Sequence, residues 1–120
     1  MLSVRVQCVC VCVLAEPPVL LHKSANLDRP INSVSRFTCL FDGWPAPDVT
    51  WMHNGYPIAA TTGAAAGGER HRLMQGGTEL LVQQSQPSDS GYYQCLARND
   101  GGSAGGIIYL YVPQRHSEYW

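Results

Sequence analysis

The side chains with most capacity for chemistry in this 120-residue chain are five cysteines and four histidines. Cys8, Cys10 and Cys12 sit at alternate positions near the N-terminus. A C-x-C-x-C run can hold a soft metal through its thiolates, but no histidine or charged residue accompanies this one, so no metal site is expected. His22, His53, His71 and His116 have no metal-ligand spacing, and none stands in a motif with a nucleophilic serine or cysteine. They read as surface or framework residues. Glycine pairs occur at 67–68, 76–77, 101–102 and 105–106. The last two enclose "GGSAGG", which follows a turn and precedes a strand, whereas a dinucleotide loop must open a helix. The expectation is a non-enzyme with no catalytic residue, no metal, no cofactor and no small-molecule substrate.

What remains is "DSGYYQC", Asp89 to Cys95. Alternation along a strand sets Tyr93 and Cys95 on one face and Tyr92 and Gln94 on the other. The strand follows a turn built from Pro87, Ser88, Asp89, Ser90 and Gly91. A cysteine aimed into a core here needs elements around it, and the rest of the chain supplies them.

The length suits one small domain. Apolar residues make up 45%, enough for a core. The net charge is −1, with eight basic and nine acidic residues, and the basic residues form no run. Nucleic acid is therefore not an expected partner. No apolar run reaches the length of a membrane-spanning helix. No Asn-x-Ser/Thr sequon occurs, which counts slightly against secretion.

The first 15 residues differ from the rest. "MLSVRVQCVCVCVLA" has one arginine, an apolar run and a small-residue site at Val13 and Ala15, with cleavage expected before Glu16. It reads as a signal peptide. The same alternation of Val and Cys suits a strand, so the tail of a preceding segment is the other reading. Removal of residues 1–15 would leave one cysteine pair, Cys39 and Cys95, in an oxidising compartment.

Short strands and turn signals fill the body. "PPVLLHK" suits an edge strand. "VSRFTCLF" sets Phe37, Cys39 and Phe41 on one face, and "GWPAP" breaks the chain. "DVTWMH" points Val49 and Trp51 inward, and "NGY" is a hairpin turn. "AATTGAAAGG", Ala59 to Gly68, reads as a flexible loop. "HRLM" is a short strand, and "TELLVQ" directs Leu80 and Val82 inward. "GYYQCLAR" directs Tyr93, Cys95 and Ala97 inward, "NDGG" turns, and "IIYLYV" closes the domain. No 3.6-residue period persists over 11 residues. The expected class is an all-β sandwich of two antiparallel sheets with about seven to nine strands. The domain spans 16–112, and 113–120 is a polar tail or linker.

The runs "GWPAPDVTWMHNG" and "DSGYYQCLARNDGGSA" resemble the immunoglobulin superfamily, its I-set in particular, over roughly Pro17 to Val112. Trp51 follows Cys39 by 12 residues, and Cys95 follows Cys39 by 56. The resemblance implies a Cys39–Cys95 bridge between the sheets with Trp51 packed on it. It implies a tyrosine corner at Tyr93, with Gly91 easing the turn. Asp89 is expected to bond its own turn or an arginine, for which Arg72 is the candidate. Ser35 and Ser85 stand where the family usually has apolar residues. An unpartnered buried hydroxyl costs about 1–3 kcal/mol, so the domain is expected to be less stable than most of its relatives unless local backbone bonds satisfy both.

In this fold the last strand would bury Ile108, Leu110 and Val112, leaving Ile107, Tyr109 and Tyr111 outside. Tyr92 and Leu96 would join them, as would Met52. Such a patch is richer in aromatic and apolar groups than a free surface requires. The expected function is a protein–protein recognition or adhesion module of a secreted or cell-surface protein. Its partner would be a protein, with another immunoglobulin-like domain or a second copy of itself as the candidates. The alternative is a structural domain of an intracellular cytoskeletal or muscle filament protein.

Overall fold

A computed structural model describes residues 14–58, 61–62 and 70–114. The strands, in chain order, are β1 (Glu16–Lys23), β2 (Leu27–Asp28), β3 (Ser35–Trp44), β4 (Asp48–His53) and β5 (Tyr56–Pro57). They continue with β6 (Thr61–Thr62), β7 (His71–Met74), β8 (Glu79–Val82), β9 (Gly91–Asn99) and β10 (Gly102–Tyr111). They form two five-stranded sheets, ordered β2-β10-β9-β4-β5 and β1-β3-β8-β7-β6. Seven of the strands have four residues or more; the other three are two-residue pairings that extend the sheets. Each sheet also holds one parallel pair, β10 with β2 and β7 with β6. The sheets are therefore mixed rather than purely antiparallel.

Period-2 patterning builds the core. Phe37, Cys39, Leu80 and Val82 from one sheet meet Trp51, Tyr93, Cys95, Ile108, Leu110 and Val112 from the other, and all are buried. Phe41 and Val49 point the expected way but are only partly buried, packed at the margin of this cluster. The chain reverses after β3 at a cis Trp44–Pro45 bond. Asn54 and Gly55 make the hairpin turn between β4 and β5, both at positive φ.

The stretch expected as one loop, Ala59 to Gly68, differs in part. Thr61 and Thr62 pair in parallel with Arg72 and Leu73 as an edge strand. Two threonines suit a strand better than the surrounding alanines and glycines do. The remainder of that stretch lies outside the described residues, as do 1–13 of the leader and 115–120 of the tail.

Candidate recognition face and its framework

Cys39 and Cys95 lie on facing strands β3 and β9 and are joined by a disulfide, with Cα atoms 6.5 Å apart. Trp51 is on β4, directly beside Cys95 in register. Its indole Nε1–H donates to the Gly77 carbonyl at 2.7 Å, so the one polar atom of a buried side chain is satisfied. The Tyr93 ring lies between Phe37 and His53, with centroids at 4.3 and 4.4 Å. His53 is thus a framework residue, stacked nearly parallel to Tyr93, with Nε2 3.0 Å from the Ser90 carbonyl oxygen.

The Tyr93 hydroxyl donates to the Asp89 carbonyl oxygen at 2.6 Å, which closes the expected tyrosine corner. Burial, and then the Asp89 charge, push its phenol well above the ordinary tyrosine value. Gly91 has φ of 134°, and a Cβ there would collide with the Asn54 side-chain amide. Only glycine fits this entry to β9.

Asp89 does bond its own turn: its Oδ2 accepts the Gln86 backbone N–H at 2.7 Å. Its arginine is Arg70, not Arg72. Arg70 holds both carboxylate oxygens, at 2.8 and 3.0 Å, and also donates to the Gln83 and Gln84 carbonyls. The reason is position along the strand. Gln83 N–H bonds the Arg70 carbonyl, which puts Arg70 at the end of the β7–β8 pair where the Asp89 turn begins. Arg72 pairs with Leu81, two residues or about 7 Å farther along. Burial raises the Asp89 pKa, but the Arg70 hydrogen bond, the Gln86 N–H and the nearby positive charges outweigh it and hold the carboxyl below the usual range.

Ser35 and Ser85 are both fully buried, and their hydroxyls bond each other at 2.7 Å. The partner of each is therefore the other hydroxyl, and the local backbone supplies only a longer contact from Ser85 to the Val82 carbonyl, at 3.4 Å. The two positions are 50 residues apart, so no local pattern in the sequence could have paired them.

The six residues expected on the outer face of the β2-β10-β9-β4-β5 sheet do come together. Gln94 is flanked by Met52 on β4 and Ile107 on β10. Tyr92 stands opposite Tyr109 in the next row, with ring centroids 5.0 Å apart in an edge contact. Leu96 lies between Thr50 and Gly105. Tyr92, Ile107, Tyr109 and Tyr111 are exposed, with Tyr92 at 60% the most open, while Met52 and Leu96 are half-buried. A shallow cleft of about 180 Å³ lined by Asp48, Thr50, Leu96 and Arg98 marks one end. Among the described residues no three His, Cys, Asp or Glu side chains gather as a metal site.

Asn54 and Asn99 carry more of this site than the sequence revealed. Asn54 Oδ1 accepts the Tyr92 N–H at 2.9 Å and so ties the hairpin turn to the face. Asn99 Nδ2 donates to the carbonyls of Glu16 and Pro45 at 2.7 and 2.9 Å, joining the start of β1 to the bend after β3. The Asn-Gly and Asn-Asp turn dipeptides were the signals available, and they speak of turns rather than of clamps.

The family profile described as "Immunoglobulin I-set domain" matches residues 18–112. Cell adhesion molecule-related/down-regulated by oncogenes from Xenopus laevis is 36% identical over 92 residues, 77% of this chain and 7% of that protein. Brother of CDO from Homo sapiens is 33% identical over 95 residues, 79% of this chain and 8% of that protein. The chain thus spans less than a tenth of these relatives. Among solved structures, a chain of the titin M10–obscurin-like 1 Ig complex superposes with a TM-score of 0.70 at 28% identity, covering 82% of this chain and 95% of that one.

Proposed function

This chain belongs to the immunoglobulin I-set family, and on that premise we propose that it is a non-catalytic recognition domain of a secreted or cell-surface protein. It docks a protein partner on the outer face of the β2-β10-β9-β4-β5 sheet. The observation that carries this reading is the exposed Tyr92–Tyr109 pair beside exposed Ile107 and Tyr111. Tyrosine offers a large amphipathic contact with little conformational entropy to lose, and such residues concentrate at binding surfaces. The disulfide agrees with an oxidising compartment. The name of one relative, cell adhesion molecule-related/down-regulated by oncogenes, agrees with a protein partner. Residues 1–15 act as the signal peptide in this reading, 16–112 as the domain and 113–120 as a tail.

The test uses a labelled, multimerised form of the chain on living cells. Wild-type protein stains a subset of cell lines, and Leu96→Lys/Tyr109→Lys, with an unchanged circular dichroism spectrum, does not. Equal staining by the folded double variant would remove the face from the proposal. A second reading has support in the likeness to the titin–obscurin-like 1 complex: a docking domain of an intracellular filament protein. Intact mass of protein isolated from its own cells separates the two. Blocked Cys39 and Cys95 support the first reading, and alkylatable thiols the second.

A further inference from the structure

Among the described residues, β10 is paired along one edge and open along most of the other. β9 pairs with it from Gly102 to Leu110 without a register shift. On the opposite edge β2 reaches only Leu110 and Tyr111. Asn26 Oδ1 then accepts the Tyr109 N–H at 2.9 Å, and the Arg29 N–H bonds the Tyr111 carbonyl at 3.0 Å. These contacts set the phase of the strand. Odd-numbered residues aim N–H and C=O at the free edge, and even-numbered residues aim theirs at β9. Ser103, Gly105 and Ile107 therefore present three N–H and three C=O groups to the open side, and no hydrogen bond reaches them among the described residues. β1 lies on the inner side, where a Cβ at Gly102 would touch Pro17 and one at Gly106 would touch Leu20 and the stem of Lys23, but it pairs with β3 rather than β10.

Native proteins guard open edges with lysine, proline, bulges or a covering segment. This edge has none of the first three: Gly101 to Val112 contains no charge and no proline, and its pairing with β9 has no bulge. The window is also symmetric. The turn into β10 bounds it at Gly101 and Asn26 bounds it at Tyr109, each four residues from Gly105.

We propose that this window is a homotypic docking edge, to which β10 of a second copy of the chain adds antiparallel across a two-fold axis at Gly105. Ser103 then faces Ile107 of the second copy, Gly105 faces its own counterpart, and Ile107 faces Ser103. Each of these three pairs exchanges two N–H···O bonds, so every open group on both edges is satisfied. An uncharged strand brings no like-charge repulsion to its own copy. The two sheets become one ten-stranded sheet in a weak, concentration-dependent dimer. The contact runs through backbone groups at the edge of the sheet and shares only Ile107 with the face proposed for recognition.

The test combines sedimentation equilibrium with amide hydrogen exchange on the whole chain. Raising the concentration slows exchange at Ser103, Gly105 and Ile107, while Ala104, Gly106 and Ile108, already bonded to β9, do not change. Ser103→Lys/Ile107→Lys sets two lysine pairs against each other across the axis and weakens the dimer by roughly tenfold or more. Ser103→Glu/Ile107→Lys sets opposite charges at the same positions and restores it. Both residues are exposed, so the variants do not disturb the core. A chain that stays monomeric at high concentration overturns the proposal, as does a dimer indifferent to both variants or equally weakened by both. So does a dimer lost in Leu96→Lys/Tyr109→Lys but kept in Ser103→Lys/Ile107→Lys, which would assign self-association to the face.

Discussion

Arg70 and Asp89 are joined by two parallel hydrogen bonds, 2.8 and 3.0 Å long, at the foot of the sandwich. Asp89 is almost fully buried, and the carbonyl of the same residue receives the Tyr93 hydroxyl. One turn thus anchors the β7–β8 end of one sheet to β9 of the other.

That ion pair makes the domain sensitive to acid. Folding lowers the Asp89 pKa, so the unfolded chain takes up a proton at a higher pH than the folded one. The stabilisation is fully present above the unfolded value of about 3.9 and is lost as pH falls through the lower folded value. Asp89→Asn breaks the charge pair and leaves Arg70 partly buried without its counter-ion, at an expected cost of about 2–4 kcal/mol. Urea unfolding across the acid range checks both points. A stability profile with the same acid slope in the variant as in the wild type would remove Asp89 from this role.

The Ser35–Ser85 pair predicts a non-additive result. Ser35→Ala or Ser85→Ala alone leaves one buried hydroxyl without its partner and should destabilise the domain by about 1–3 kcal/mol. The double replacement removes both polar groups and should cost clearly less than the sum of the two. A double-mutant cycle by urea unfolding reads the coupling directly. Additive losses would mean the 2.7 Å contact contributes nothing net.

The disulfide closes a segment with a sequence separation of 56. Chain entropy assigns a loop of that size about 4 kcal/mol of stabilisation relative to an unbridged chain. Cys39→Ala/Cys95→Ala should therefore lower the urea midpoint strongly while keeping the sandwich at low temperature. Urea unfolding of the variant checks it. A midpoint within error of wild type would show that the core alone holds the sheets together.

Much of this was legible in the residues. Alternation identified Phe37, Cys39, Trp51, Leu80, Val82, Tyr93 and Cys95 as inward, because the pleat of a strand leaves no other choice once one of them is buried. Alternation together with the family resemblance, which set the inward side of the apolar last strand and put the three strands in one sheet, located Met52, Tyr92, Leu96, Ile107, Tyr109 and Tyr111 on one face. The extra pairings at Leu27–Asp28 and Thr61–Thr62 were not legible. A two-residue strand has no period to detect, and its existence depends on a neighbour that arrives from elsewhere in the chain.

The sequence by itself determined which residues are core, which are turns, and which family of sandwich they build. Those choices depend on local periodicity, on turn chemistry and on a few spacings along the chain. Only the tertiary structure decided that Asp89 meets Arg70 rather than Arg72, that Ser35 and Ser85 satisfy each other, and that no described residue pairs with the outer edge of β10 from Ser103 to Ile107. Each of these depends on how far one strand slides against another. A step of two residues preserves every inward and outward side chain, so the pattern reads the same while the partners change.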